Sequence, residues 1–136
     1  MNIAFSMNGV DPNSPLLYRI IIKSSLYYIG CANTARRPQK AYARNVKHMI
    51  EGQPYRKSKA EGFRFIHRRM LEAIQNGDDV VIELIRNVPR ENKFEEERAE
   101  IAKYRQKYGD SVLNRTTIRI NKEGEQVGAG DAEEAV

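Results

Sequence analysis

Cationic side chains give the middle of this sequence its clearest chemical character. Between positions 56 and 69 there are six Lys or Arg residues, accompanied by Tyr55 and Phe63. Lysine and arginine side chains bind phosphates by charge, although a basic helix face can also be merely solvated. We expect nucleic-acid contacts from this stretch and from an arginine before it, through Arg37, Arg56, Lys57, Lys59, Arg64 and Arg68.

The charge of the whole chain points to the same kind of partner. The formal net charge is +5, but residues 122–136 contain one lysine and five carboxylates, which leaves +9 on residues 1–121. This charge on residues 1–121 suggests a polyanionic binding partner, most simply nucleic acid, although a ribosomal role or a need for solubility produces similar net charges. The acidic, glycine-rich segment 122–136 is expected to be disordered.

Length and composition predict one cytoplasmic domain. The 136 residues suffice for a single core, which we place at 16–121, after an irregular arm at 1–15. There is no apolar run of roughly 20 residues that could cross a bilayer, and we see no secretion signal at the N-terminus. The single cysteine, Cys31, allows no internal disulfide framework and fits a reducing compartment.

Two pairs of polar residues are spaced so that their side chains can meet. Tyr18 and Tyr28 lie in two apolar, β-branched runs that predict a hairpin over Leu16–Cys31, where the tyrosines can share one face. Arg44 and His48 are four residues apart within a predicted helix over 38–51, so they lie on the same helical face. An aromatic pair across strands can also be an ordinary stabilising contact.

Around these residues the pattern predicts an α+β fold. A second amphipathic helix ends at Asn76-Gly77, a third strand follows at 80–88, and a third helix covers 91–108. In that last helix the apolar residues Phe94, Ala99, Ile101, Ala102 and Tyr104 are expected to face the core. The predicted architecture is a small three-stranded antiparallel sheet flanked by about three helices, similar to a sandwich.

The order of these features resembles the GIY-YIG nuclease family over residues 16–117. The resemblance rests on Tyr18, Tyr28-Ile29-Gly30, Arg44, His48, Glu97 four residues before Ile101, and Leu113-Asn114. The first tripeptide, Leu16-Leu17-Tyr18, keeps only its tyrosine. The interval from Gly30 to Arg44 is longer than is common, which implies an insertion around 35–40. Without that insertion, Arg37 or Arg36 takes the place of Arg44.

The resemblance implies a role for each residue. Glu97 would bind a divalent cation, Mg²⁺ or Mn²⁺, and Arg44 would hydrogen-bond the phosphate. Tyr18 would act as general base with help from Tyr28. His48 is an alternative base, because its unperturbed pKa is better suited to neutral pH than that of a phenol. Asn114 would orient the glutamate or close a turn.

These roles together predict a metal-dependent endonuclease that hydrolyses DNA phosphodiesters, double-stranded DNA more than single-stranded. Target choice would come from loops, from a homodimer or from a protein partner. A nuclease-like module that binds nucleic acid without cleaving it is the alternative, motivated by the Leu16-Leu17 departure. A basic structural protein of a nucleoprotein particle is a third possibility.

Overall fold

The computed structural model describes residues 3–53, 65–114, 116–120 and 126–131, the last two ranges as backbone. Its elements follow the chain as β1 (Ile3–Ser6), β2 (Leu16–Ile22), β3 (Leu26–Ala32), a π-helical turn (Arg37–Ala41), α1 (Tyr42–Ile50), α2 (Phe65–Gln75), β4 (Val80–Asn87), a 3₁₀ turn (Arg90–Asn92), α3 (Lys93–Tyr108), a 3₁₀ turn (Gly109–Ser111), β5 (Thr116–Ile120) and β6 (Gln126–Asp131).

The central sheet has four strands in the order β1-β4-β2-β3. β2 lies antiparallel to both β3 and β4, whereas β1 lies parallel to β4. The α+β class and the predicted hairpin are therefore confirmed. The prediction of three antiparallel strands is wrong, because part of the arm predicted to be irregular forms β1. Ile3 pairs with Val80, and so distant a partner leaves no local pattern in the sequence.

Each face of the sheet packs against different helices. On one face, Tyr18, Ile20 and Ile22 of β2 join Tyr28 in the main core, which includes Val46 of α1 and Met70 of α2. On the other face, Ile29 packs with Ile101 and Tyr104 of α3. The sheet is thus enclosed between α1 and α2 on one side and α3 on the other.

The inner face of α3 differs from the prediction. Ile101 and Tyr104 are buried as expected, but Phe94, Ala99 and Ala102 are exposed. Their places on the buried face are taken by Glu97 and Glu100. A search for apolar residues at helical spacing therefore could not identify this face, because two of its members are carboxylates.

The chain ends in a separate two-stranded antiparallel sheet formed by β5 and β6. β6 lies within the segment predicted to be a disordered tail; the rest of that segment, residues 122–125 and 132–136, lies outside the described residues. In the described part of the chain, the helices are too short or too polar to cross a lipid bilayer.

Candidate active site

Tyr18 and Gly30 face each other across the hairpin. They are register partners in β2 and β3, and the Tyr18 ring lies directly over the Gly30 backbone. A Cβ atom added at Gly30 would lie 2.3 Å from Tyr18 Cζ and 2.4 Å from its hydroxyl oxygen. The glycine of the second tripeptide is therefore required for the position of the Tyr18 side chain.

The hydroxyl groups of Tyr18 and Tyr42 form a hydrogen bond of 2.5 Å. Tyr42 is the first residue of α1, and the two rings meet edge to face with their centroids 5.8 Å apart. Both side chains are fully buried. Sequence reasoning missed Tyr42, although it lies four residues before the buried Val46 and so shares its helical face.

Tyr42 extends this polar contact toward α2. Its ring packs against the ring of His67 with centroids 5.4 Å apart, and His67 Nε2 lies 3.2 Å from Asn45 Nδ2. Asn45 and His67 are buried. Buried polar groups that bond to one another fix the arrangement of the elements that carry them. The position of Tyr18 is thereby coupled to both α1 and α2.

Tyr28 is buried on the same face of the sheet as Tyr18. Its register partner in β2 is Ile20, so it lies diagonally from Tyr18. The alternation of residues in the hairpin predicts that the two tyrosines share this face. Aromatic side chains in diagonal positions on neighbouring strands are close enough to interact.

A cleft of about 390 Å³ opens where β3 ends. Four cationic residues line it, namely Arg36, Arg37, Arg44 and Lys93, and no carboxylate occurs among the described residues of its lining. Within the described ranges, the guanidinium groups of Arg36 and Arg44 make no ion pair. The cleft therefore carries positive charge that an anion can neutralise.

Three arginines of this cleft lie close to the π-helical turn in sequence: Arg36 precedes the turn, Arg37 begins it and Arg44 follows it on α1. The amide N–H of Tyr42 bonds to the carbonyl oxygen of Arg37, five residues back, so the turn accommodates one residue more than an α-helical turn. This wider turn accounts for part of the long interval between Gly30 and Arg44. Arg37 Nη1 also donates to the carbonyl oxygen of Cys31 at 3.5 Å, which directs Arg37 toward the end of β3.

The first turn of α3 forms the opposite wall of the cleft. Lys93 Nζ donates a 2.8 Å hydrogen bond to Asn33 Oδ1 across the cleft and lies 4.8 Å from the centroid of the Phe94 ring. Glu97 is one turn beyond Lys93 on the same side of α3 and is 3% exposed. It is therefore the buried carboxylate next to the cationic wall.

Arginines from the sheet hold α3 in place. Arg86 of β4 donates hydrogen bonds to Glu100 at 2.8 Å and to Glu96 at 3.0 Å. The hydrogen bond to Glu100, more than the one to Glu96, raises the pKa of the Arg86 guanidinium. Burial of Arg19 disfavours its charge, but hydrogen bonds to Tyr104 and Glu83 outweigh that effect and raise its pKa. The ion pair with Arg86 accounts for one of the two carboxylates on the inner face of the helix, that of Glu100.

Glu97 supplies a buried carboxylate, the type of donor that magnesium and manganese ions bind. Such ions are bound by one or two carboxylates, with water in most other positions. Among the described residues, no group of three or more His, Cys, Asp or Glu side chains is arranged to hold a metal ion.

Asn114 lies at the open edge of β3. Its Oδ1 accepts from the Ile29 amide at 2.9 Å and its Nδ2 donates to the Ile29 carbonyl at 2.7 Å. The Leu113 amide donates to the Tyr27 carbonyl at 2.7 Å. The Asn114 side chain therefore takes the place of a neighbouring strand beside the Tyr28-Ile29-Gly30 tripeptide.

The remaining predicted site residues lie in several places. Of the residues to which the resemblance assigns roles, Arg44 lines the cleft, whereas Tyr18, Tyr28, His48 and Glu97 are not among its lining residues. Nδ1 of His48 is buried with no hydrogen-bond partner in the described part of the chain. Arg68 is exposed on α2. Arg56, Lys57, Lys59 and Arg64 lie outside the described residues.

Comparison of the chain with known proteins gives no match to a family model, to a curated protein or to a solved structure.

Proposed function

We propose that this protein is a GIY-YIG-like endonuclease that hydrolyses DNA phosphodiester bonds with the help of Mg²⁺ or Mn²⁺. The observation that carries the proposal is the cleft at the end of β3. It follows directly after Tyr28-Ile29-Gly30, four cationic side chains line it, and the buried Glu97 lies one helical turn from its wall.

The chemistry follows from these charges. A phosphodiester resists attack because its negative charge repels the nucleophile, and Arg37 and Arg44 can neutralise that charge through hydrogen bonds that strengthen in the transition state. A metal ion held by Glu97 would polarise the phosphoryl oxygen and stabilise the leaving alkoxide. The proton of the attacking water would pass to His48, or to Tyr18 if its hydroxyl, which is buried in this structure, becomes accessible from the cleft.

The Tyr18–Tyr42 hydrogen bond supports Tyr18 in this role. A phenol with a reference pKa of about 10 is a weak base at neutral pH unless its phenolate is stabilised. The Tyr42 hydroxyl, whose oxygen lies 2.5 Å from that of Tyr18, would provide such stabilisation by donating to the phenolate. His48, one turn beyond Arg44 on α1, remains the alternative base.

A plasmid-nicking assay tests this proposal. Purified protein is incubated with supercoiled plasmid and Mg²⁺ or Mn²⁺, and the nicked and linear products are measured. Glu97→Ala should abolish nicking, whereas Glu95→Ala, which removes an exposed carboxylate from the same helix, should leave it intact. Absence of nicking, or equal nicking by wild type and Glu97→Ala, would contradict the proposal.

A second candidate function is nucleic-acid binding without cleavage. The burial of Tyr18 favours it, because a hydroxyl already bonded to Tyr42 within the core is not in contact with solvent. In that case binding weakens steeply with salt, as phosphate contacts require, and no metal supports cleavage.

Target selection is also part of the proposal. We expect specificity to come from loops, from a second copy of the chain or from a protein partner.

A further inference from the structure

Phe94 is an exposed aromatic ring at the edge of the cationic cleft. Three large apolar side chains are exposed in the described residues: Met7, Ile50 and Phe94. Isolated exposed apolar residues are common and need no explanation. Phe94 differs from the other two because it lines the cleft together with Arg37, Arg44 and Lys93.

The ring is 46% exposed and sits on the first turn of a 16-residue helix. α3 is fixed to the sheet by Arg86 and by the packing of Ile101 and Tyr104. An aromatic ring on a fixed backbone loses little conformational entropy on binding. Phe94 therefore offers a preorganised flat surface beside a phosphate-binding group.

Lys93 links the ring to the cationic wall. Its ammonium lies 4.8 Å from the centroid of the Phe94 ring and donates to Asn33 across the cleft. A phosphate held by Lys93 and the arginines would bring the attached nucleotide next to this ring. Bases stack on aromatic side chains in a largely sequence-independent way, because every base has a flat π face.

The size of the cleft limits what can enter it. Its volume of about 390 Å³ is near the lower end of the roughly 300–1,000 Å³ typical of small-molecule sites. A site of this volume holds a ligand of about the size of one nucleotide, whereas a base stacked inside a duplex is unavailable to Phe94.

We propose that Phe94 stacks on an unpaired base whose adjoining phosphate lies in the cationic cleft, so that the substrate is nucleic acid with unpaired nucleotides. The inference rests on the proposed function for its phosphate site and narrows the substrate expected from the sequence, which was mainly duplex DNA. Single strands, flaps and distorted junctions all present such nucleotides.

A tryptophan in place of Phe94 tests the stacking directly. The chain contains no tryptophan, so Phe94→Trp places the protein's single tryptophan at the cleft, where it can be excited selectively over the tyrosines. Short oligo(dT) is added in EDTA, which keeps the strand intact, and tryptophan fluorescence is followed together with the anisotropy of a labelled strand. We expect oligo(dT) to quench the tryptophan fluorescence, and the quenching and the anisotropy to reach saturation at the same oligo(dT) concentration. Ile50→Trp, an exposed position on α1 away from the cleft, should bind equally and show no quenching.

Affinity measurements provide a second test. Phe94→Ala should weaken binding of oligo(dT) by about 5- to 150-fold, the range expected for loss of one stacked base, and should change binding of a blunt duplex by less than about twofold. A rise in anisotropy without quenching in Phe94→Trp, or an equal loss for both ligands in Phe94→Ala, would overturn the inference while leaving the nuclease proposal intact. Quenching by a protein that never nicks DNA would support the stacking site and contradict the nuclease.

Discussion

Gly30 is the residue that the structure constrains most tightly at the candidate site. The Tyr18 ring occupies the space in which any other residue would place its Cβ, with Cζ only 2.3 Å away. Because Tyr18 is also bonded to Tyr42 and buried, the ring has little freedom to move aside. Tyr18 and Gly30 are therefore packed against each other, and neither can change without affecting the other.

Gly30→Ala should therefore destabilise the protein and displace Tyr18. We expect a loss of about 1–3 kcal/mol in the free energy of unfolding, the usual cost of overpacking a core, measured by chemical denaturation. Gly52→Ala separates the two costs of replacing a glycine: a Cβ there meets nothing within 4 Å, so any loss of stability comes from its φ of +71°, whereas Gly30 has no positive φ and its loss comes from the contact with Tyr18. If Gly30→Ala is as stable as wild type and as active, the close contact with Tyr18 does not govern the site.

The sequence left the identity of the site arginine open between Arg44, Arg37 and Arg36, and all three line the cleft. Arg37 also bonds to the Cys31 carbonyl at the end of β3. The π-helical turn that brings them together could not be predicted from composition, because it depends on how the chain leaves β3.

Arg37→Ala and Arg44→Ala should each weaken DNA binding and lower the salt dependence of that binding by about one unit of slope, as expected for one phosphate contact. Fluorescence anisotropy at several salt concentrations measures this. Arg98→Ala, which removes an exposed cation from α3, should leave the slope unchanged. If the slopes for Arg37→Ala and Arg44→Ala equal the wild-type slope, as expected for Arg98→Ala, the cleft arginines do not contact phosphate.

At the level of elements, the hairpin was predictable and the fourth strand was not. The alternation of apolar residues from Leu16 to Cys31 is local, and it correctly placed Tyr18, Ile20 and Ile22 on one face. β1 is only four residues long, and its parallel partner β4 lies far along the chain. Such a pairing is determined by tertiary packing, which a local pattern does not record.

The Leu113-Asn114 segment completes the other edge of the sheet. Asn114 bonds to both the amide and the carbonyl of Ile29, and its own carbonyl oxygen accepts from Arg105. The sequence offered two roles for this residue, orienting a glutamate or closing a turn. The observed hydrogen bonds show a structural role at the β3 edge.

Asn114→Ala should destabilise the protein by about 1–3 kcal/mol, because the buried amide of Ile29 loses its partner. Thermal or chemical unfolding of the variant measures the loss. Asn92→Ala is a suitable control, since Asn92 is exposed and its side chain makes no capping bond. Wild-type stability in Asn114→Ala would show that water replaces the amide at this edge.

At the level of the whole molecule, the proposed site uses residues from both sides of the sheet. Tyr18, Tyr28 and Tyr42 lie on the side of α1 and α2, whereas Glu97 lies on α3 at the opposite side. The cleft at the end of β3 is where both sides become accessible, through Arg44 from α1 and Lys93 from α3. Sequence order suggested these residues, but only the fold shows that the sheet separates the tyrosines from the carboxylate.

In the proposed function, Glu97 holds the metal of a nuclease site next to this cleft. Diffraction from crystals soaked in Mn²⁺, with an anomalous difference map, tests this role most directly. We expect a manganese peak bonded to the Glu97 carboxylate in wild type and its loss in Glu97→Gln crystals. Manganese bound elsewhere, or no peak at Glu97 at a concentration that supports nicking in solution, would contradict it.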